Sequence, residues 1–294
     1  MADISVIIPA FNAANSLQAA LQSVALQTIK PDQVIVVDDG STDDTYSIAS
    51  SMQDHMSGTQ LIVIKQQNLG AGAARNRAIS EATSTWLAFL DADDVWLAEK
   101  LHRSMDVVQS GSFDLVAHDY IAIHKDYETK INCASLFQLY ADPFVGLYRK
   151  GFIATSSVVV RKNLVEQSGG FDEKLKTAQD FDLWLKILAR PHAHFNIFDE
   201  ALMRYAIIDG SITSFTPRRL ACSMVILNRH APAILNHTGG IIHIFYRILA
   251  VHYEAVTASF AQQRYGLLIR SVLMLPFRLL AATSFLWHKE PKID

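Results

Sequence analysis

Three observations predict an α/β protein built on a mostly parallel, doubly wound, Rossmann-like sheet with a C-terminal helical extension. Up to about residue 100, four short apolar runs of strand length alternate with segments whose apolar residues recur at helical spacing. Polar and acidic residues follow the runs, so they gather at one edge of such a sheet. Beyond Arg218 the pattern changes to long apolar helical stretches with scattered Arg and His.

The runs are residues 4–8, 33–37, 61–65 and 86–90, and the helical patterns between them are residues 16–27, 45–55 and 71–81. Unbroken β-branched runs are what parallel strands covered by helices on both faces require. A helix is expected from Val95. Strands are expected at 114–118 and 156–160, a turn at Gly169-Gly170-Phe171-Asp172, and an amphipathic helix over 178–189. Arg190-Pro191 ends that helix, because proline cannot continue one. No Gly/Ser-rich linker intervenes, so residues 1–100 and 101–217 read as two halves of one body, followed by a helical region over 218–294.

Composition narrows the function classes. Half of the 294 residues are hydrophobic and 19% are charged, with a mean hydropathy of +0.16, which excludes disorder and a small disulfide scaffold. The formal charge of −3 offers nucleic acid no general attraction, and no nucleic-acid partner is expected. Cys133 and Cys222 are too few for a disulfide framework or a cysteine zinc site, which fits a reducing compartment. No basic segment followed by a long apolar stretch opens the chain, and Pro9 ends the first run, so a cytoplasmic protein is expected.

The chemistry-bearing residues follow the strands. Asp91-Ala92-Asp93-Asp94, after the fourth run, sets two hard oxygen ligands on a short loop, suited to Mg²⁺ or Mn²⁺ and hence to a diphosphate. Asp38-Asp39-Gly40-Ser41, after the second, offers carboxylates to the N–H groups of a nucleobase, with a glycine that permits close approach. Capping of the next helix by Ser41 or Thr42 is the alternative. Gly70-Ala71-Gly72 evokes a dinucleotide fingerprint, but Arg75 holds the third glycine position and the segment follows the third strand, so that reading fails. Arg75 instead reaches a phosphate or holds the acidic loop; an ordinary ion pair to one of the aspartates is the alternative. Five clustered carboxylates repel one another unless a cation or a hydrogen-bonding ligand neutralises them. No HExxH, G-x-S-x-G or Walker A pattern occurs.

Pro9-Ala10-Phe11-Asn12, VVDDGSTD, NLGAGAARN, FLDADD and, over residues 169–187, GGFDEKLKTAQDFDLWLKI resemble the family 2 glycosyltransferases of GT-A fold, across residues 4–213. The resemblance implies inverting transfer from a nucleotide-diphosphate sugar, with a UDP-sugar the foremost donor. A divalent cation assists, and the acceptor is a glycan or lipid-linked molecule in bacterial surface polysaccharide synthesis. It places Pro9, Phe11 and Asp39 around the base with Asp38 beside the nucleoside. Asp93 becomes the direct metal ligand, Asp91 lies nearer the ribose and is the second candidate ligand, and Asp180 is the general base. Asp180 is equally a first-turn acid favoured by the helix dipole, and Asp182 reads as a helix-face residue.

Two departures stand out. Gln179-Asp180 replaces the family's Glu-Asp, and residues 205–213 carry Ala206 and Ile208 where relatives have Arg and His near the diphosphate or metal. Arg204, His192 and His194 are the candidates to substitute, each with a structural role as the alternative. A nucleotide-sugar-binding or scaffolding protein with impaired transfer is therefore the rival reading. Residues 267–287 are long enough to span a bilayer, but Arg270 and Arg278 at roughly +2.5 to +3.5 kcal/mol each, with Pro276, largely cancel the gain. Peripheral contact with the inner face of the cell membrane is expected instead, with Arg264, Arg270, Arg278 and Lys289 at the headgroups and Trp287 in the interface. A packing element or a homodimer contact is the alternative.

Overall fold

A computed structural model describes residues 3–191, 193–207 and 216–283. His192, Ile208, residues 209–213, Trp287 and Lys289 lie outside the described residues. The chain divides into two compact units: residues 1–139, 152–174 and 179–208 form the first, and residues 140–151, 175–178 and 209–294 the second.

The first unit begins as the sequence predicts. Strands β1 (Ile4–Ala10), β2 (Gln33–Asp38), β3 (Gln60–Lys65) and β4 (Trp86–Phe89) alternate with helices α1 (Leu17–Ala25), α2 (Thr45–Ser51) and α3 (Ala71–Glu81). Every residue of β1, β2 and β4 is buried, as strands covered on both faces must be. The order β4-β1-β2-β3 is parallel throughout. The chain therefore winds outward from β1 to β3 and crosses back to β4, leaving the switch point between β1 and β4, where loops diverge and open a crevice.

After β4 the structure departs from the expected helix at Val95. Val95–Trp96 is a short strand, β5, and α4 (Lys100–Gly111) begins later. The reason is tertiary. Trp96 donates its backbone N–H to Ser23 and its indole N–H to the Ser156 carbonyl, while β5 pairs with a later strand. There follow β6 (Leu115–His118), β7 (Tyr120–Ile123), β8 (Glu128–Ile131), α5 (Cys133–Gln138) and α6 (Pro143–Lys150). Next come β9 (Val159–Arg161), α7 (Lys162–Gln167), α8 (Gln179–Leu188), β10 (Phe195–Phe198) and β11 (Met203–Ala206). The strand expected at 156–160 starts later, because Thr155–Ser157 forms a 3₁₀ turn whose Thr155 and Ser156 hydroxyls reach Asp180 and Asp94. β9 runs antiparallel between β4 and β6, so the seven-stranded sheet β10-β6-β9-β4-β1-β2-β3 is mixed with mostly parallel pairs. A second sheet, β5-β11-β7-β8, has no counterpart in the sequence pattern.

Three aromatic rings anchor α8 to the sheet. Phe89 meets Phe171 edge-on with centroids 5.5 Å apart and Trp184 at 5.8 Å, and all three are buried. Asn76 of α3 fixes the Gly-Gly-Phe-Asp turn by donating to the Phe171 carbonyl and accepting from the Phe171 N–H, at 2.8 and 2.9 Å.

The second unit contains α6, capped by Asp142, with Pro143 in its first turn and Gly151 left-handed at its end. It continues with α9 (Thr216–Leu235), α10 (Gly240–Ala261) and α11 (Tyr265–Thr283), and α10 packs against α6, α9 and α11.

Truncating the central ring should be costly. Phe89→Ala is expected to lower unfolding stability by about 3–5 kcal/mol, read from the urea midpoint. A shift under ~1 kcal/mol would mean the rings are not the anchor of α8.

Candidate active site

The site is built at the carboxyl ends of β1, β2 and β4. Ile7 pairs with Phe89, and Pro9 lies beyond the last residue joined to β4, so its missing N–H falls where that ladder has already ended. Phe11 projects at 48% exposure, unusual for an aromatic at a sheet edge. The loops after β1 and β2 brace each other. Asn12 N–H donates to Ser41 Oγ at 2.8 Å and Thr42 N–H to Asn12 Oδ1 at 2.9 Å, while Ala13 N–H donates to Thr45 Oγ1 at 2.7 Å. The capping reading of Ser41 and Thr42 gives way to this arrangement, in which their groups hold the neighbouring loop.

The two adjacent aspartates differ sharply. Asp38 Oδ1 accepts from Ser41 N–H at 3.0 Å, whereas its Oδ2 is buried without a hydrogen-bond partner, with Lys65 Nζ 4.0 Å away. A buried carboxylate oxygen left so is an acceptor waiting for a donor. Asp39 is engaged at both oxygens, Oδ1 accepting from Gln66 Nε2 and the Leu69 N–H and Oδ2 from the Gly70 N–H, at 2.8–2.9 Å. It shapes the turn into α3. Gly40 is left-handed, φ +75°, and a Cβ there would lie 2.8 Å from the Asn68 nitrogen, so this turn admits only glycine.

Arg75 lies at the centre. The small residues of α3 bring it in; a Cβ on Gly72 would already be 3.4 Å from Gln179 Cγ. Its guanidinium is buried, 5.2 Å from the Phe171 ring centroid, and donates to Asp91 Oδ1 at 2.5 Å. Burial opposes its charge, but the fields of Asp91, then Asp180 and Asp93, more than compensate and raise its pKa. One cation thus feels all three predicted acids. The ion pair with Asp91 is what both the loop-holding role and the ordinary ion pair call for.

Asp93 is half-buried, and burial together with the Asp91 charge pushes its carboxyl up to about 6. Asp94 is fully buried, and its carboxyl too is held well above the usual carboxylate range, first by burial and then by Asp91. It accepts from Ser156 Oγ at 2.5 Å and from the Ala206 N–H at 3.0 Å, while Ser156 Oγ accepts from Asp91 N–H at 3.0 Å. Asp94 and Ser156 are residues whose role the sequence did not reveal. Asp94 lay in plain view beside Asp93, but nothing in the spacing separates a ligand from a brace.

Asp180 opens α8, half-exposed, with Oδ2 accepting from Thr155 Oγ1 at 2.7 Å and Oδ1 from the Phe181 N–H at 2.8 Å. Each oxygen retains a lone pair. Asp182 is buried and paired with Lys186 at 2.8 Å, the helix-face role expected of it. Of the substitutes proposed for the missing Arg and His, Arg204 is committed to Glu128 of β8, and the His194 backbone is bonded to Asp114, away from the acidic loop. Among the described residues no three His, Cys, Asp or Glu side chains converge to hold a metal unaided. Asp91 and Asp93 suit instead a cation that completes its shell with water and phosphate oxygens.

Comparison with known proteins decides the family. The profile described as Glycosyl transferase family 2 matches residues 5–167. The chain belongs to this family. It is 27% identical over 198 residues to an uncharacterized glycosyltransferase of Rickettsia prowazekii, a match covering 66% of this chain and 61% of that one, so it spans under two thirds of that relative's length. It is 29% identical over 211 residues to the amylovoran biosynthesis glycosyltransferase AmsB of Erwinia amylovora, covering 66% and 69%. It is also 29% identical over 193 residues to WfaP of Escherichia coli, a UDP-Glc:alpha-D-GlcNAc-diphosphoundecaprenol beta-1,3-glucosyltransferase, covering 64% and 70%. In fold it matches S. aureus TarS 1-349 in complex with UDP-GlcNAc, with a TM-score of 0.69 and 21% identity, covering 91% and 79%. The mannosyltransferase PcManGT of Pyrobaculum calidifontis, in complex with GDP-Man and Mn²⁺, matches with a TM-score of 0.65 and 21% identity, covering 98% and 88%. The glycosyltransferase family 2 chain thus has the GT-A-like α/β fold expected of it.

The acid pair makes a pH prediction. Asp93 holds its proton more tightly folded than unfolded, so its contribution to stability is full below about pH 4 and is lost as pH rises through about 6. Asp93→Asn should therefore raise the thermal midpoint of the metal-free protein at pH 8 but not at pH 4. The gap is on the order of 2–3 kcal/mol, from roughly two pKa units. A gap independent of pH would rule out the buried-acid account.

Proposed function

We propose that this enzyme moves a sugar from a UDP-sugar, with inversion, to a glycan or lipid-linked acceptor in bacterial surface polysaccharide synthesis. The observation that carries the reading is the buried guanidinium of Arg75, bonded to Asp91 and within the fields of Asp93 and Asp180, which makes one locus of two separate acidic centres. The unpartnered Asp38 Oδ2 suits the imide N–H of uracil, and Phe11 offers its exposed ring to the base, with Pro9 below. Asp39 serves by holding the neighbouring loop. The similarity to WfaP, which uses UDP-Glc, and to TarS, bound to UDP-GlcNAc, supports a uridine donor.

Asp93, with Asp91 as second candidate, would hold Mn²⁺ or Mg²⁺, which when bound absorbs charge growing on the leaving diphosphate. The raised Asp93 pKa fits this role, since a cation beside it relieves the repulsion from Asp91. Arg75 keeps Asp91 in place. Asp180, oriented by Thr155 and the Phe181 N–H, takes the proton of the acceptor hydroxyl as that oxygen attacks the anomeric carbon opposite the departing nucleotide. The enzyme works in the cytoplasm, peripheral to the inner face of the membrane.

Two variants separate the roles. Asp180→Asn should leave UDP binding and donor KM near wild type while lowering kcat by about 10²–10⁴-fold. Asp93→Ala should remove the Mn²⁺-dependent thermal shift given by UDP. Normal transfer by Asp180→Asn would end its assignment as base, and tight UDP binding without turnover of any donor by the wild type would favour a scaffold.

A further inference from the structure

The helical unit carries an imbalance of charge that the transfer reaction does not use. Residues 216–283 contain seven arginines and a single carboxylate, Glu254. The chain's formal −3 thus conceals a surplus of six positive charges in this segment and nine negative elsewhere.

More cations gather where α6 ends against α10. The Arg149 guanidinium stacks 3.9 Å from the Tyr246 ring centroid, Lys150 Nζ lies 5.4 Å from the same centroid, and Arg149 Nη1 is 3.5 Å from His243 Nδ1. Among the described residues no carboxylate pairs with Arg149 or Lys150, and Arg149 Nε is buried without a hydrogen-bond partner. Asp142 is already taken, capping α6 and meeting His237 at 2.6 Å. Crowded cations lacking counter-charges suit a phosphate group.

This cluster borders exposed apolar surface. Tyr246 lies one turn from Ile242 and one from Leu249, and both continue through Tyr253 and Phe260 as a solvent-facing line along α10. On α11, which has no acidic residue, Tyr265, Ile269, Val272, Leu273, Phe277 and Leu280 are exposed. At about 100° per residue these six fall within a stripe roughly 140° wide, and exposed Met274 extends it to about 200°. The opposite side of α11 carries buried Ser271 and Ala282, with Arg278 reaching His252 of α10 at 3.1 Å. Soluble surfaces rarely leave so continuous an apolar stripe open.

We propose that this unit docks on an anionic lipid surface, with lipid phosphates seated at Arg149 and Lys150 while the stripes of α10 and α11 enter the acyl boundary. The proposal deepens the peripheral placement given under the proposed function and rests on it. A second copy meeting the same face would bring the arginine surpluses together. A spanning α11, at mean hydropathy 1.5, would carry Arg270, Arg278 and Pro276 into the bilayer.

Flotation of the full-length protein with phosphatidylglycerol and with phosphatidylcholine vesicles tests this, and UDP binding to each sample reports the catalytic site separately. Binding to the anionic vesicles alone, released by high salt, is expected. Arg149→Gln with Lys150→Gln should weaken it about 30-fold, at roughly fivefold per basic residue. The control Arg77→Gln with Lys125→Gln, which removes the same charge from the other unit, should change it less than threefold. Equal losses in both pairs would overturn the phosphate seat. Binding to phosphatidylcholine as strong as to phosphatidylglycerol would overturn anionic docking. A dimer in light scattering that Phe277→Asp converts to monomer would assign the face to a second copy. Inorganic phosphate binding that Arg149→Gln abolishes, without any vesicle binding, would make the seat a soluble-anion site.

Discussion

The arrangement of the site depends on one buried cation, Arg75. Removing a guanidinium from water costs several kcal/mol, and only close carboxylates with good geometry repay that. Arg75 has them in Asp91, Asp180 and Asp93, so the ion cluster is self-consistent only when the loop after β4 and the first turn of α8 are both in place. The small residues of α3 follow from this requirement. A Cβ at Gly72 would already rest in van der Waals contact with Gln179, the residue before Asp180, so α3 and the start of α8 lie close together here. The ring of Phe171 under the guanidinium makes the same demand from the other side, since Asn76, the next residue along α3, clamps the turn that carries it.

Around this centre, irregular loops gain rigidity from side chains instead of ladders. Asp39 ties the approach to α3, Asn12 and Thr45 tie the loops after β1 and β2, and Ser156 joins Asp91 to Asp94. All but the Ser156–Asp94 bond, which joins two side chains, satisfy a backbone N–H that a loop at a sheet edge would otherwise leave to water. The consequence is selective: the groups left unsatisfied or electrostatically loaded, Asp38 Oδ2 and Asp93, are those the proposed chemistry uses, while Asp39 and Asp94 also brace the loops.

This division also explains what could be read in advance. The first four strands, their helices and the acidic edge were legible because a buried parallel strand writes itself as an unbroken apolar run, and its loop as an abrupt polar stretch. Asp91, Asp93, Arg75 and Asp180 were legible as a set, because one motif order brings them to one edge. Val95–Trp96 was not, since its strand exists through bonds to Ser23 and Ser156 and pairing with β11, residues far away in the chain. The different fates of Asp38 and Asp39 were equally hidden. Adjacent residues in a turn share composition and spacing, and only the φ of Gly40 and the path of residues 66–70 decide which carboxylate is left open.

Ala206 puts the departure from the family pattern in a different light. Its side chain cannot approach a diphosphate, yet its N–H donates to Asp94, which braces the acidic loop through Ser156. β11 therefore supports the loop through its backbone, a contribution that survives exchange of Arg for Ala. What is lost is a positive charge, and Arg204 does not restore it because Glu128 already holds it. With Arg75 also neutralised by Asp91, the described part of the catalytic unit offers the leaving diphosphate little free positive charge from side chains near the acidic loop. Under the proposed function such a site would rely more heavily on a divalent cation than one carrying the family's Arg and His, and Asp93, which among the described residues has no cationic partner of its own, would be its first ligand, with Asp91 shared between the cation and Arg75.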